Sequence, residues 1–397
     1  MNVSCDVVVV GAGVCGLWAR HELSRAGLRV VTIERSAMGD GQTVASQGIL
    51  HRGVKYAVSH SAREASEVLQ RVHARWMDAM AGRGGPDLGC VRILAQRTHM
   101  WSTPSMLGGV VAEAASRVMV SGVRRLEEGE LPPAFRGAPR GVRVWEIDES
   151  VVDPRSLLAE LARAGEGPIV RAPSIVMKSD ADRVHVEMGG GAVLIARRVV
   201  LCAGAGNEEL LGSLGMDGPS IMQRRPLHMA VACGAPSPVY GHCLQASLSD
   251  KPRLTVTSTP EAGGTWTWYL GGNLAEKGVE RDEASQIATA REEVRACLAW
   301  IDTSGLHFET LRIDRAEGRT PAGTRPDTPV VRAFGPVIVA WPTKLALTPV
   351  AADEIVRCVR EALGARDPID NAAWSDACAA LQDRAPGVAP LPWETHA

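Results

Sequence analysis

Asp6-Val7-Val8-Val9-Val10-Gly11-Ala12-Gly13-Val14-Cys15-Gly16 decides the fold of this chain, and its reading extends without a break to Glu34. The run Asp6 to Val10 is β-branched, apolar and long enough for a buried parallel strand. It enters a G-x-G-x-x-G turn, and the helical stretch Val14 to Arg25 closes at Gly27. A second strand, Leu28 to Ile33, ends in Glu34. Gly11 permits the tight turn, Gly13 lets a pyrophosphate approach the backbone, and Gly16 lets helix and strand pack closely. The first helical amides, at Val14 and Cys15, face the anion. Glu34 stands 23 residues after Gly11, placed to accept hydrogen bonds from a ribose diol. Strand, glycines, helix, strand and acid in this order predict an ADP-containing cofactor.

The rest of the 397 residues bounds that reading. Hydrophobic residues make up 45% and charged residues 22%, the proportions of a globular enzyme, and a net charge of −2 gives no reason to invoke nucleic acid. Nine cysteines, none in a C-x-x-C pair, read as small buried side chains in a reducing compartment. No apolar run has the length of a membrane span. With a strand beginning at Asp6, no signal peptide is expected, and the expected location is cytoplasmic.

Further elements follow by pattern. Ser61 to Met80 has helical periodicity. Asp153 and Pro154 form an N-cap and first helical position for a helix to about Ala164. Strands are predicted at Pro168 to Val170, Ser174 to Met177, Val184 to Met188, Val193 to Ile195, Met222 to Ala232, Leu254 to Thr259 and Thr265 to Leu270. A helix is predicted from Gln286 to Trp300, and the chain closes with a strand, Val337 to Trp341, and a helix, Thr348 to Ala362.

The order of motifs resembles the D-amino-acid-oxidase-like superfamily of FAD enzymes, which includes glycine oxidases and glycerol-3-phosphate and 2-hydroxyglutarate dehydrogenases. The residues that carry the resemblance are Gly11, Gly13, Gly16 and Glu34, then the loop Gly41 to Gly53. After these come Val152-Asp153-Pro154, Val199 to Gly206 and Glu317-Gly318-Arg319-Thr320-Pro321. It implies FAD rather than NAD, on an α/β fold with a Rossmann-type FAD-binding domain (1–85, 146–222 and 315–397). A discontinuous α+β substrate domain on an antiparallel sheet would use 86–145 and 223–314. It also implies that Gly11, Gly13, Val14, Cys15 and Gly16 hold the pyrophosphate, with Glu34 and Arg35 at the adenosine end and backbone near Ile175 against adenine. Thr43, Ala45, Ser46, Gln47, Gly48 and Ile49 would pass the pyrophosphate and flavin, Ala203 and Gly204 would return to the cofactor, and Lys344 and Leu345 would approach the flavin. Where many members carry a glycine- and histidine-containing turn, this chain has Ala340 to Pro349. There Thr348 can cap the last helix and, with Lys344, stabilise negative charge at the flavin.

Four residues are candidates for chemistry. His51 lies where the loop should run past the flavin, as a proton acceptor, a structural histidine or, as the resemblance allows, a covalent flavin attachment point. Arg319 matches the family's substrate-carboxylate arginine, or else pairs with Asp314 or Glu317, and Arg325 competes for its place. Arg225 and His228 are an odd number of residues apart, so one at most faces the cavity. Arg52 and Lys55, and Tyr240-Gly241-His242-Cys243, are weaker candidates, and no metal site is expected. The expected function is an FAD-dependent oxidoreductase that removes hydride from a CH–OH or CH–NH carbon of a small anionic substrate to flavin N5. It leans toward hydroxy-acid or glycerol-phosphate dehydrogenase, with oxygen, a quinone or another acceptor taking the electrons. Alternatives are an amino-acid or secondary-amine oxidase producing imine and peroxide, and an FAD-binding partner protein without turnover. The sequence leaves the oligomeric state open.

Overall fold

The computed structural model describes residues 2–52, 72–103, 123–180, 182–189, 191–244, 252–363, 371–382 and 385–394. Its first strand, Asn2–Val10, is the seed of an eight-stranded sheet. Val7, Val8 and Val9 are fully buried there, because both faces of this parallel strand are covered by other elements. It pairs in parallel with Ala192–Leu201 on one side and with Val30–Glu34 on the other. Parallel pairing continues outward to Val337–Trp341 and to Ile169–Arg171, with Val330–Phe334 added antiparallel at one edge. The helices Val14–Arg25 and Thr348–Leu363 pack on each other over one face of this sheet.

The strand predicted at Val193 to Ile195 is longer, a continuous ten-residue strand, Ala192–Leu201. Its first half pairs antiparallel with Val184–Met188 and, throughout, it pairs in parallel with the first strand, so no break is needed. The predicted helix at Gln286 begins earlier, at Glu283, and ends at Cys297. Asp282 explains the shift: its carboxylate accepts the Ser285 amide at 2.8 Å and caps the helix one turn ahead of the periodic apolar pattern. The helix at Pro154–Ala164 starts where the Asp153-Pro154 pair predicts, with Asp153 accepting the Arg155 amide at 2.9 Å. Residues 72–80 are helical, while 61–71 of the helix predicted there lie outside the described residues, as do Gly53 and Lys55.

A second eight-stranded sheet is mostly antiparallel. It takes Thr98–Trp101, Val123–Arg125 and Val144–Ile147 from one part of the chain, and five strands between Met222 and Gly318 from another. Its one parallel pairing joins Gly241–Cys243 to Thr98–Trp101. One face, with Ala230, Ala232, Trp101 and Trp268, packs on the helix Glu283–Cys297. The opposite face of its central strands carries Leu227, Met229, Val231 and Tyr269. That second face is the one turned to the loop that leaves the first sheet.

Candidate functional site

The carboxyl ends of three adjacent strands meet at one point. Val10 is in register with Leu201 on one side and Ile33 on the other, so the turns that follow them converge. This is the place where strand order reverses in an open α/β sheet, and where such sheets take their ligands. Gly11 turns there with φ +105°, and a Cβ on Gly16 would sit 1.9 Å from the Gly11 carbonyl oxygen. Those contacts press the helix Val14–Arg25 onto the turn and leave its N-terminus without a side-chain cap from Gly13. The Val14 amide donates to Thr43 Oγ1 at 3.2 Å, which ties the later loop to the turn. Glu34 accepts the Ala12 amide at 2.8 Å through one carboxylate oxygen and the Arg35 amide at 2.7 Å through the other. The carboxylate is thus held beside the glycine turn. Glycine backbone, a helix N-terminus and a fixed acid fit the adenosine diphosphate half of FAD.

Beneath that turn, Cys15 and Cys202 face each other with sulfurs 3.8 Å apart. Hydrogen bonding to Cys15 and burial push the Cys202 thiol well above the ordinary thiol range, so it packs as a neutral side chain. Ala203 and Gly204 are held close by. The Ala203 amide donates to Asn207 Oδ1 at 2.8 Å, and the Trp341 indole donates to the Gly204 carbonyl at 3.1 Å. The last strand is thereby locked against the second glycine element. The end of that strand corrects one expectation. Thr348 does not cap the helix, because a 3-10 turn, Leu345–Leu347, runs directly into Thr348–Leu363. Helical backbone therefore begins at Leu345, with Lys344 extended in front of it, and the buried Thr348 hydroxyl has no hydrogen-bond partner among the described residues. Ile175 begins the strand Ile175–Ser179, half-buried against the first sheet's core.

The loop from Thr43 to Arg52 spans the two sheets. Gly48 has φ +67° and a Cβ there would lie 2.2 Å from the Val152 oxygen. The closeness allows the Val152 amide to donate to Gly48 at 3.0 Å and the Leu50 amide to Ser150 at 2.9 Å. On the other side the Tyr269 hydroxyl donates to the Ala45 carbonyl at 3.0 Å, and Gln47 donates to the Tyr269 carbonyl at 3.0 Å. Ala45 and Gln47 are thus clamped against the second sheet.

His51 emerges from this clamp next to Glu149. Its Nδ1 is 3.1 Å from Glu149 Oε2, while Glu149 Oε1 accepts the Arg52 amide at 2.9 Å. The carboxylate side chain is only 2% exposed, against 31% for the imidazole. A buried carboxylate bound to one nitrogen of a partly exposed imidazole fixes the orientation of the ring. Arg52 forms an ion pair with Asp148. The buried His73 lies in the electrostatic reach of Arg52, Asp148 and Glu149. Burial first, then the Arg52 charge, lower its pKa. His242, from the second sheet, stacks on His51 with ring centroids 6.1 Å apart and planes 23° from parallel. One donor atom each from His51, Glu149 and His242 lie within 4.8 Å of one another. The sequence reading missed Glu149 altogether. Its signal is the pair Asp148-Glu149 directly ahead of the Val151-Val152 strand on which the loop is laid.

The other candidates are placed elsewhere. His228 is a correction: it is 1% exposed, its Nδ1 is 3.0 Å from the Gly278 carbonyl, and it lies on the face covered by the helix Glu283–Cys297. Arg225 lies on the opposite face, as the odd spacing requires. Its guanidinium forks onto the 1%-exposed carboxylate of Glu317, at 2.5 and 3.1 Å. Arg319 is exposed at the end of the strand His307–Gly318 and donates to the Pro219 carbonyl at 2.9 Å. Neither acid considered for Arg319 is its partner, because Glu317 is taken by Arg225 and Asp314 by Arg224.

Residues 6–390 match the family model described as FAD dependent oxidoreductase, the DAO family. The chain belongs to that family. It is 40% identical over 360 residues to PA4991 of Pseudomonas aeruginosa, described as a probable FAD-dependent oxidoreductase, covering 90% of this chain and 91% of that one. The crystal structure of PA4991 superposes over 100% of this chain and 99% of that chain, with a TM-score of 0.83 and 35% identity. A shorter match, 36% over 74 residues, links it to an anaerobic glycerol-3-phosphate dehydrogenase subunit from Escherichia coli K12, covering 17% of this chain and 14% of that one. Glycine oxidase from Geobacillus kaustophilus shares the fold, with a TM-score of 0.64 at 17% identity over 94% of this chain and 98% of that chain. This DAO-family chain is therefore an FAD-dependent oxidoreductase, with the parallel and antiparallel sheets of its family. Among the described residues no helix is long and apolar enough to cross a membrane.

Proposed function

We propose that this flavoenzyme oxidises a CH–OH group of a small anionic substrate, with His51 taking the hydroxyl proton. The observation that carries the reading is the His51–Glu149 pair at 3.1 Å, set at the end of the loop that the second sheet clamps. FAD, when bound, supplies the acceptor for the hydride. Gly11, Gly13 and the helix start would hold its pyrophosphate, Glu34 would hold its ribose, and the Thr43 to Gly48 loop would border it. Glu149 holds the His51 ring by Nδ1, so that Nε2 receives the proton, and the carboxylate compensates the imidazolium that results. An electron acceptor, oxygen or a quinone, completes the cycle.

Anaerobic mixing of the holoenzyme with panels of hydroxy acids, polyol phosphates and amino acids tests this. The expected result is bleaching of the flavin by a hydroxyl compound, and reduction about 10²-fold slower in His51→Ala, the lower end of general-base contributions. Bleaching by amino acids alone, or full speed in His51→Ala, would overturn it. Re-admission of oxygen or addition of a quinone then identifies the acceptor.

A further inference from the structure

Three donor groups from separate parts of the chain converge beside the cofactor loop, and the proposed proton transfer leaves one of them without a role. His51 ends the loop from Thr43, Glu149 precedes the strand Val151–Val152, and His242 stands on the strand Gly241–Cys243 of the second sheet. One ligand atom from each lies within 4.8 Å of the other two. Glu149 and His242 are buried, while His51 is partly exposed. The three come from distant stretches of sequence, so no short motif announces them.

Two imidazoles and a carboxylate are the donor set of a borderline divalent cation such as Zn2+, whereas Mg2+ and Ca2+ take oxygen ligands. A tetrahedral zinc at ordinary bond lengths sets its donors about 3.3 Å apart. His51 Nδ1 and Glu149 Oε2 are already 3.1 Å apart. The 4.8 Å limit leaves a third donor about 1.5 Å or less to close. The outer contacts also suit a metal. Glu149 Oε1 accepts the Arg52 amide at 2.9 Å, and His242 Nδ1 lies 2.9 Å from Thr255 Oγ1. A ligating imidazole is commonly anchored in this way through its other ring nitrogen, and a ligating carboxylate through a further hydrogen bond.

We propose that His51, Glu149 and His242 form a Zn2+ site, and that zinc bound there is a reversible inhibitor of flavin reduction. The site stands on the convergence of its donors; the inhibition rests on the assignment of His51 above. Zinc on His51 Nε2 occupies the nitrogen that takes the substrate proton. Zinc on Nδ1 instead leaves the neutral ring with its proton on Nε2, where no lone pair remains to accept another. Either way the carboxylate of Glu149 is spent on the metal, and occupancy and proton acceptance exclude each other.

The FAD-loaded wild type, His242→Asn and Thr255→Val are freed of metal by dialysis against EDTA and equilibrated with Zn2+. Bound zinc is measured against flavin by elemental analysis. Reduction by the compound that bleaches the flavin is followed anaerobically, with and without Zn2+. Expected in the wild type are one Zn2+ per flavin that excess Mg2+ does not displace, and reduction that slows in step with occupancy and recovers with EDTA. His242→Asn keeps an amide donor for Thr255 but lacks the second ring nitrogen. It should raise the Zn2+ Kd by more than about 100-fold, while its zinc-free reduction rate and Tm stay near wild type. Thr255→Val should raise that Kd by about 10- to 100-fold, the effect of losing an outer-shell partner. A wild type that retains no zinc would overturn the site. So would zinc held equally tightly by His242→Asn, or inhibition that persists in it, since either places the ion elsewhere. If His242→Asn fails to fold, Thr255→Val decides, and an unchanged Kd there overturns the site. Zinc bound through His242 without any slowing of reduction would keep the site and sink the assignment of His51 as the base.

Discussion

Glu149 is the residue on which the proposed chemistry turns. Its two oxygens are divided between the Arg52 amide and the His51 ring; in Glu149→Gln the amide oxygen still accepts from Arg52, but the NH2 group can only donate to Nδ1, which puts the ring proton on Nε2. Glu149→Gln should therefore keep FAD and the fold while removing the charge that compensates a protonated His51. Flavin reduction should slow by about 10²-fold or more in anaerobic stopped-flow, with flavin content unchanged. A fall in Tm without a change in reduction rate would make Glu149 structural. Glu34 offers a parallel case at the cofactor. Glu34→Gln should raise the Kd for FAD by about tenfold, the loss on the order of one charge-assisted hydrogen bond, read by titrating apoprotein with FAD. A third case concerns acid stability. Burial, followed by the Arg52 charge, lowers the pKa of His73, and burial lowers that of His99. With folded values below the unfolded value of about 6.5, the folded state binds fewer protons. The stability these groups contribute is complete above that value and is lost as pH falls below it. Tm should decline from about pH 6.5 downward, and His73→Gln should make that decline shallower.

At the scale of elements, what the sequence revealed was local. The helix Val14–Arg25 and the start at Pro154 were readable because their signals sit within a few residues: glycine turn, Asp-Pro cap, apolar period. Asp153→Ala removes the bond to the Arg155 amide and should cost about 1 kcal/mol, measured by chemical denaturation, without loss of FAD. The helix at Glu283 starts ahead of its apolar pattern because its cap precedes that pattern, and the last helix lies where expected, at Thr348–Leu363, but without Thr348 as its cap, because a 3-10 turn extends it backward through Leu345. Partners far apart in the chain were not readable at all. His51 and Glu149 are separated by 98 positions, and Arg225 and Glu317 by 92, so no periodicity or motif links them. The family pattern pointed to His51 through its loop, yet it also pointed to Arg319. There only the three-dimensional partners show that Arg225 takes Glu317 and leaves Arg319 on the Pro219 carbonyl.

For the whole molecule, the decisive feature is that one loop belongs to both sheets. Thr43 is bonded to the turn at Val14, and four residues later Gln47 donates to the second sheet at Tyr269 and Thr255. Tyr269 returns the contact through its hydroxyl to the Ala45 carbonyl. It is 1% exposed, and burial raises its pKa well above the ordinary phenol value, so it acts as a neutral donor. Tyr269→Phe keeps the ring packed with Met229 and Trp393 and removes only the donor. The Ala45 carbonyl then loses its partner in a buried setting, at a cost of about 1–3 kcal/mol. If the bond serves stability alone, Tm falls and kinetics stay normal. The geometry predicts more, because the loop that it fixes carries His51 six residues further on. Tyr269→Phe should slow flavin reduction several-fold at saturating substrate. Gln47→Ala should do the same, and the double variant should fall short of the product of the two effects, since both bonds restrain one segment. Fully multiplicative effects would show that the two contacts act separately, and the loop would then lose its standing as the link between the sheets.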